Sequence, residues 1–515
     1  MDKVVLAIDA GTQSVRSILF DAMGKIVGIH KVPITPYTSE QPGYAENDAE
    51  QYWQAMVESV KGLLTRNIVP VKNIQALSIT TQRSTVINLD KYGNPLRPAI
   101  VWLDQRRTED LPDIQGPWKY LFKVSGLSDT VHYLRAEAEA NWIKTHQPQI
   151  WEKTAKYLFL SGYLTYKLTE NFTDSVAAQV GYIPFDFKRQ QWSRPYDWKW
   201  QAIPVKKRML PELVKPGQML GKISEQAAEQ TGLPKHLPVI AAGADKACEV
   251  IGSGCLTENM ACLGLGTTAT INVISREYKE IIPLLPAYPS VIPDAYNLEI
   301  QIFRGFWMVS WFKEEFGSFE QQLAEEEGIP AEEILERMIK DIPPGSDGLV
   351  LQPYWSPGLR HPGPEARGSI IGFSDIHTRG HFYRAILEGI GYALKEGSER
   401  IEKGTHTPIK ELYVAGGGSQ SPTAMQIMAD IFGLPATGPH TFEASGLGAA
   451  ICAAVGSGMY ENFSTAVHAM TRPGERFEPR KSTHEQYSLL YRDVYKRMYT
   501  RLKTLYRSIK NIQNG

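Results

Sequence analysis

One short pattern occurs twice in this chain: an apolar strand, a turn with Gly and Thr, small polar residues, and a second apolar strand. VVLAIDAGTQSVRSILFD runs from Val4 to Asp21, and MACLGLGTTATINVIS runs from Met260 to Ser275. Two copies about half a chain apart predict a duplicated domain with a cleft between the copies. The chain has 515 residues. A single hydrophobic core stops growing at roughly 250 to 300 residues, so we expect at least two domains.

Strand and helix patterns alternate along the rest of the chain, which predicts the α/β class. KIVGIHKVPI continues the first copy as a third strand, and Asp48 is placed to cap the helix that follows. LPVIAAG is apolar throughout and reads as a buried strand, while ADKACEVIG begins a helix. Asp245 therefore lies just past a strand end, where α/β proteins form ligand sites. The last sixty residues predict a long helix whose aromatic stripe packs in the core.

The charge balance and the cysteine content exclude several classes of partner. Lys plus Arg number 55 and Asp plus Glu number 56, with no basic run that would bind nucleic acid or an anionic membrane. No apolar leader opens the sequence, and no stretch reaches the roughly 18 apolar residues of a membrane span. The four cysteines lack C-x-x-C spacing, so we expect reduced core thiols. We therefore expect a cytoplasmic protein that binds a small molecule.

Three glycine-containing turns, AIDAGTQS, GLGTTAT and VAGGGSQS, together describe a nucleotide cleft. In the first, backbone N–H groups with Thr12, Gln13 and Ser14 can hold phosphate oxygens, and Asp9 can orient a hydrated Mg²⁺. In the third, backbone without side chains can approach a flat ligand closely. An ordinary hairpin explains any one such turn alone. No G-x-x-x-x-G-K-[ST] is present and no G-x-G-x-x-G follows the first strand, which excludes a P-loop and a dinucleotide fold.

Five further segments, in a fixed order with these turns, give the chain a family resemblance. They are PGYAENDAEQYW, ITTQRSTVINLDKYGNPLRPAIVWLDQR, LTENFTDSVAAQ, GADKACEVIGSG and ARGSIIGFSDIHTRGHFYRAILEG. From Val4 to about Gly458 the chain resembles carbohydrate kinases of the FGGY family, within the actin-like, hexokinase-like ATPase superfamily. The resemblance implies two actin-like (ribonuclease H-like) lobes, residues 1–255 and 256–515. They would close on ATP, Mg²⁺ and a sugar or polyol in a central cleft.

The resemblance also implies roles for individual residues. Asp245 of GADK falls on the catalytic base, whereas the residues alone favour a carboxylate that caps the next helix. Asp9 falls on the aspartate that orients the metal, and Asp245 is the second candidate beside the metal. The residues that fall on nucleotide contacts are Gly11, Thr12, Gln13, Ser14, Gly266, Thr267, Gly416, Gly417, Gly418 and Ser419.

The predicted substrate residues are Gln82, Arg83, Trp102, Asp245 and Lys246. Glycerol kinases resemble this region, but they carry Glu at Ser84 and an aromatic residue near Thr270. Xylulokinases carry Met-His where this chain has Gln82 and Arg83. We therefore expect a ketose or polyol of about four to six carbons, because the pocket looks roomier and more polar than one fitted to glycerol. Lys246 replaces the usual amide, which indicates an acidic or strongly hydroxylated substrate unless it is a surface lysine lying along its helix.

Three other functions remain as alternatives. The chain could be a divergent glycerol kinase, a sugar or nucleotide sensor without turnover, or an actin-like ATPase that drives a protein partner. The retained Asp245 argues against the sensor, as does the lack of a DNA-binding arm. The ATPase would need a partner-binding extension that the sequence lacks. A homodimer is left open.

Overall fold

The computed structural model describes residues 3–358 and 362–514. Strands and helices alternate along both ranges. The strands of the first half are β1 (Val4–Ala10), β2 (Ser14–Asp21), β3 (Ile26–Pro33), β4 (Glu46–Asn47), β5 (Ile74–Thr81), β6 (Val86–Leu89), β7 (Ala99–Ile100), β8 (Lys156–Phe159), β9 (Thr173–Ser175), β10 (Phe185–Asp186), β11 (Gln191–Trp192), β12 (Glu212–Val214), β13 (Met219–Lys222) and β14 (Pro238–Ile240). Those of the second half are β15 (Met260–Leu265), β16 (Ala269–Ser275), β17 (Tyr288–Pro289), β18 (Tyr296–Ile302), β19 (Val350–Gln352), β20 (Ser369–Ile371), β21 (Glu411–Ala415), β22 (Ala436–Pro439) and β23 (Pro473–Phe477).

The α-helices lie between and around these strands. They are α1 (Ala49–Leu64), α2 (Pro117–Val124), α3 (Ser128–Glu137), α4 (Glu139–His146), α5 (Pro148–Lys153), α6 (Leu160–Thr169), α7 (Lys199–Ala202), α8 (Glu225–Thr231), α9 (Asp245–Gly252), α10 (Trp307–Phe316), α11 (Ser318–Glu327), α12 (Ala331–Ile339), α13 (Arg379–Thr405), α14 (Pro422–Phe432), α15 (Ala444–Gly456), α16 (Phe463–Met470), α17 (Lys481–Leu490) and α18 (Lys496–Asn514).

The two largest sheets repeat one arrangement of strands. The first has the order β13-β14-β5-β1-β2-β3 and the second β17-β18-β16-β15-β21-β22-β23. In the first sheet β1 pairs antiparallel with β2 and parallel with β5. In the second sheet β15 pairs antiparallel with β16 and parallel with β21. The duplication predicted from the two Gly-Thr turns is therefore present, and each turn joins the two strands of an equivalent hairpin.

Two helices, α9 from the first half and α15 from the second, lie between these sheets and pack against each other. Glycine permits their close approach. A β-carbon at Gly252 would lie 1.9 Å from the carbonyl oxygen of Ala444, and one at Gly448 would lie 2.0 Å from that of Cys248. The crossing joins the two halves through backbone contact, so Asp245 at the start of α9 is held at the junction.

Several local expectations are confirmed. Strand β3 completes the first meander, and the side chain of Asp48 accepts a hydrogen bond from the backbone N–H of Glu50 at the start of α1. The C-terminal helix runs through α17, a π-helical turn (Tyr491–Tyr495) and α18. The rings of Tyr487, Tyr491 and Tyr495 are buried in the hydrophobic core of the second half, as the aromatic stripe of this helix predicted.

Two further findings concern the cysteines and the apolar character of the helices. The four cysteines are buried and free of disulfides, which confirms the expected core thiols. Within residues 3–358 and 362–514, no helix is both long enough and apolar enough to cross a membrane.

Candidate active site

A cleft of about 1340 Å³ opens between the two halves. Trp102, Asp245 and Lys246 line it from the first half, and Thr267 and Arg304 line it from the second. Predicted acceptor residues and a predicted phosphate turn therefore face one space.

Asp245 begins α9 and is half-buried at the wall of the cleft. Its Oδ1 atom accepts a hydrogen bond from the backbone N–H of Lys246 at 2.8 Å. The residues alone suggested a carboxylate that caps the helix, but the N-cap position is Ala244; Asp245 lies in the first turn of α9 and lines the cleft. The carboxylate therefore lies where a hydroxyl group of a ligand in the cleft can reach it.

A buried network behind the cleft holds the backbone in front of Asp245, and sequence reasoning did not assign it. Asp174 Oδ2 accepts hydrogen bonds from Ser161 and from Gln179, each at 2.8 Å. The 3₁₀ turn after Ser175 then presents the carbonyl oxygen of Ala177 to the backbone N–H of Ala244 at 3.0 Å. Burial raises the pKa of Asp174 to about 6. The TDSVAAQ segment therefore positions α9 from behind.

Asp9 lies at the end of β1 among more acids than cations. Its Oδ2 atom is 3.5 Å from Arg16 Nη1, which is shared with Glu443 at 2.8 Å. Burial, opposed by Arg16 and assisted by Glu443 and Asp245, raises the pKa of Asp9 to about 7. Asp9 and Asp245 thus lie within electrostatic reach of each other, and their joint negative charge suits a cation.

The donor set near Asp9 fits Mg²⁺ that brings its own water. Among the residues that the structure describes, no group of three or more His, Cys, Asp or Glu side chains could hold a metal ion. Mg²⁺ is usually held by one or two carboxylates, several waters and the phosphates of its nucleotide. Two carboxylates beside a phosphate turn meet that requirement.

A chain of hydrogen bonds joins the first turn to Gln82 and Trp102, two of the predicted substrate residues. Thr12 Oγ1 donates to Gln82 Oε1 at 2.8 Å and accepts from Trp102 Nε1 at 3.0 Å. Gln82 Nε2 donates to the Tyr52 hydroxyl at 2.8 Å. Thr12 and Gln82 line the cleft, but these polar atoms bind each other and so position Trp102.

The remaining residues of the first turn shape its backbone. The backbone N–H of Gly11 donates to the carbonyl oxygen of Ser14 at 3.0 Å, and that of Ile34 donates to Gln13 at 3.0 Å. Ser14 is buried and begins β2. The turn is therefore rigid before any ligand binds.

The second turn and the glycine-rich loop pack together. The backbone N–H groups of Phe306 and Trp307 donate to the carbonyl oxygens of Gly266 and Thr267 at 3.0 and 3.3 Å. Gly416, at φ +82°, lies so close that a β-carbon there would be 2.8 Å from the carbonyl carbon of Leu265. The loop is thus held beside the second turn by a contact that only glycine permits.

The three glycines of the loop differ in what they face. A β-carbon at Gly418 would lie 2.4 Å from the ring of Phe306, whereas one at Gly417 would have no atom within 4 Å. The Ser419 hydroxyl donates to the carbonyl oxygen of Gly416 at 2.7 Å. Gly417 is therefore the glycine of the loop that borders open space.

Both cations beside Asp245 are already paired with acids. Lys246 Nζ lies 2.9 and 3.1 Å from the oxygens of Glu249, and Arg83 Nη1 lies 2.9 and 3.1 Å from those of Glu299. Burial opposes the charge of Lys246, but Glu249 and Asp245 raise the pKa of Lys246. Lys246 is neither a free cation nor a surface lysine.

Ser84 and Thr270, the two positions that differ from glycerol kinases, contribute little bulk. Ser84 adopts φ +54° and donates to the carbonyl oxygen of Val180 at 2.9 Å. Thr270 is fully buried in β16 and accepts a hydrogen bond from Asn272. Neither side chain clamps a ligand against Trp102.

An acidic wall on the far side of Trp102 was missed by sequence reasoning. Glu137 and Glu139 line the cleft, Glu137 pairs with Arg107, and Glu139 Oε2 has no hydrogen-bond partner among the residues described. Burial, with a smaller contribution from Asp104, raises the pKa of Glu139 to about 8. Two acids at spacing i, i+2 carry no sequence signal, because only the break between α3 and α4 turns both toward the cleft.

Comparison with known proteins identifies both halves. Residues 4–252 match the N-terminal domain of the FGGY family of carbohydrate kinases, and residues 261–457 match the C-terminal domain. A xylulose kinase from Lactococcus lactis subsp. lactis is 28% identical over 504 residues, covering 96% of this chain and 96% of that protein.

Solved structures share the fold over nearly the full length. A gluconate kinase from Lactobacillus acidophilus has a TM-score of 0.83 at 20% identity, covering 99% of this chain and 100% of that one. A xylulose kinase from Rhodospirillum rubrum has a TM-score of 0.80 at 26% identity, covering 98% and 100%. The predicted α/β fold with two lobes is confirmed.

Proposed function

Because this chain belongs to the FGGY family of carbohydrate kinases, we propose that Asp245 is the base of its phosphoryl transfer. The chain is an enzyme that transfers phosphate from ATP to a hydroxyl group of a small sugar or polyol. The position of Asp245 at the junction of the lobes, beside both the acceptor wall and the second turn, is the observation that carries the proposal.

In the proposed step the acceptor hydroxyl oxygen forms a bond to the γ-phosphorus of ATP. The bond from that phosphorus to the bridging oxygen breaks, and ADP leaves with its electron pair. The hydroxyl proton passes to the carboxylate of Asp245. Transfer of this kind needs positioning and charge neutralisation more than covalent catalysis.

The phosphates are proposed to lie between the two Gly-Thr turns. Gly11 to Ser14 and Gly266 to Thr267 would face them, and the adenosine would lie over Gly417. Mg²⁺ would neutralise phosphate charge, with Asp9 and Asp245 orienting its water shell. The rigid turns and the open space at Gly417 support this placement.

We propose a neutral ketose or polyol of about four to six carbons as the acceptor, with its carbon face against Trp102 and its hydroxyls near Gln82 and Arg83. The pairing of Lys246 with Glu249 and of Arg83 with Glu299 favours a neutral acceptor over an acidic one. The relative named xylulose kinase, which spans 96% of this chain, supports a five-carbon ketose.

Two further proposals concern the chain as a whole. We place the boundary between lobes near Cys255, because α9 ends at Gly252 and β15 begins at Met260. A cytoplasmic location fits four buried cysteines without disulfides.

Asp245→Asn tests the proposed base. Asn keeps the size and polarity but cannot accept the proton, so we expect kcat to fall ~10²- to 10⁴-fold. Affinity for ATP, measured by calorimetry, should stay within about twofold because the adenosine and phosphate contacts lie elsewhere. The exposed Asp110→Asn serves as the matched control. Wild-type turnover in Asp245→Asn would remove this residue from the mechanism.

A further inference from the structure

Arg304 lies directly beside the second Gly-Thr turn. Strands β16 and β18 pair so that Ala269 faces Ile302. The hydrogen bond from Thr268 Oγ1 to the carbonyl oxygen of Phe303, at 3.1 Å, shows that the two segments stay together beyond the last paired residues of β16 and β18. Arg304 follows in the turn after β18, and two residues later the backbone N–H of Phe306 donates to the carbonyl oxygen of Gly266 at 3.0 Å. The residues on both sides of Arg304 are therefore bonded to the second turn, and Arg304 and Thr267 both line the cleft.

The guanidinium of Arg304 is held but not neutralised. Its Cζ atom lies 4.7 Å from the centre of the Trp307 ring. No acid pairs with it among residues 3–358 and 362–514. The cations nearest Asp245 differ, because Arg83 and Lys246 each have a carboxylate partner. Stacking on an aromatic face fixes the plane of a guanidinium while its N–H groups remain able to donate.

Lys188, another cation of the cleft, lies away from the second turn. Its carbonyl oxygen accepts a hydrogen bond from Tyr296, at the opposite end of β18 from Arg304. Six residues of strand separate the two ends by about 20 Å. Arg304, unlike Lys188, is therefore placed to meet a phosphate at Thr267.

We propose that Arg304 binds the terminal phosphate of ATP and neutralises the charge that develops as the phosphoryl group moves to the acceptor. This inference rests on the proposed position of the phosphates at Gly266 and Thr267. Phosphoryl transfer spreads negative charge over the oxygens of the moving group, and a fixed arginine there stabilises it more than it stabilises the ground state. A guanidinium can hold two such oxygens at once.

The test compares binding of two nucleotides that differ by the terminal phosphate. For Arg304→Gln we expect the Kd of a non-hydrolysable ATP analogue to rise about tenfold, while the Kd of ADP changes less than about twofold. With acceptor present, kcat should fall about 100-fold or more. Arg304→Lys should recover part of the analogue affinity, because it restores the charge but not the two-oxygen geometry. Lys188→Ala, which removes a cation at the far end of β18, should leave all three quantities unchanged.

Three results would overturn the proposal. They are equal loss of affinity for the analogue and ADP in Arg304→Gln, a kcat within threefold of wild type, and an Arg304→Lys variant no better than Arg304→Gln. If both Arg304 variants melt far below wild type, the residue is structural and the proposal is wrong.

A separate variant tests the premise. Gly266→Val, where a β-carbon would meet only the carbonyl oxygen of Thr268 at 3.7 Å, should weaken both nucleotides. If it weakens neither, the proposed position of the phosphates fails, whatever Arg304 does.

Discussion

At the scale of single residues, the acceptor side of the cleft is organised by charge compensation. Lys246 and Arg83 each face a carboxylate, so neither brings a free positive charge to the acceptor. Among the residues described, no cation forms a salt bridge with Asp245. An unpaired carboxylate suits the proposed transfer of a proton to this residue.

Glu139 is the buried acid whose titration should be visible in stability. Burial raises the pKa of Glu139 from its ordinary value of 4.5 to about 8. The unfolded chain loses this proton near 4.5, while the folded protein keeps it to about pH 8, so folding becomes less favourable as pH rises between these values. Glu139→Gln removes this cost. We expect the stability of the variant relative to wild type to increase by about 1 kcal/mol or more from pH 5 to pH 8.

Urea unfolding at the two pH values measures this difference. The exposed Glu109→Gln should show no such change between pH 5 and pH 8. A Glu139→Gln variant whose advantage stays constant with pH would show that the carboxyl group is ionised in the folded protein.

At the scale of elements, two adjacent glycines of the glycine-rich loop differ in what they contact. Gly418 packs on Phe306, while Gly417 borders open space. We expect Gly417→Val to raise the KM for ATP at least about tenfold with little change in acceptor KM, because the branched side chain takes the room of the adenosine. Its melting temperature should stay close to wild type.

Gly418→Val is the matched variant for this prediction. Its β-carbon would overlap the Phe306 ring, so it should lower the melting temperature by several degrees, as overpacking costs about 1 to 3 kcal/mol. Equal losses of ATP and acceptor affinity in Gly417→Val would instead indicate general misfolding.

The elements also show which features the sequence could predict. The two hairpins, α1 with its Asp48 cap and the start of α9 follow from local patterns, and the structure has each of them. The ion pair between Arg83 and Glu299 could not be predicted, because its partners are 216 residues apart and meet only through the register of β18. The free space at Gly417 likewise depends on tertiary packing.

Sequence reasoning missed Arg304 and Glu139 for a similar reason. Neither belongs to a motif, and each becomes informative only when its neighbours in space are known. Lys246 was identified as a cation next to the base, but its buried partner Glu249 changes what that cation implies about the acceptor.

At the scale of the whole molecule, ion pairs join the two lobes around the cleft. Arg83 with Glu299 crosses near the acceptor, and Lys215 with Asp294 crosses at the exposed rim. Exposed pairs contribute roughly 0 to 1 kcal/mol, whereas loss of one partner of a buried pair leaves an unpaired buried charge, so the pair of Arg83 and Glu299 is the one whose disruption should cost more. Closure of the lobes excludes water and protects ATP from hydrolysis.

The size of the cleft leads to the prediction about the acceptor. The space of about 1340 Å³ has no aromatic clamp at Thr270 and no acid at Ser84, so it is not fitted to three carbons. Each buried polar group that a short acceptor leaves unpaired costs ~1 to 3 kcal/mol. We therefore expect kcat/KM for a neutral five-carbon ketose to exceed that for glycerol by at least tenfold, which corresponds to ~1.4 kcal/mol.

Steady-state assays of ADP release with a ketose, a polyol, glycerol and an aldonic acid measure this ranking. The aldonic acid should rank below the ketose, because Arg83 and Lys246 are already paired. A tenfold preference for glycerol would show that the chain is a divergent glycerol kinase, and a preference for the aldonic acid would show that Lys246 leaves Glu249 when substrate binds.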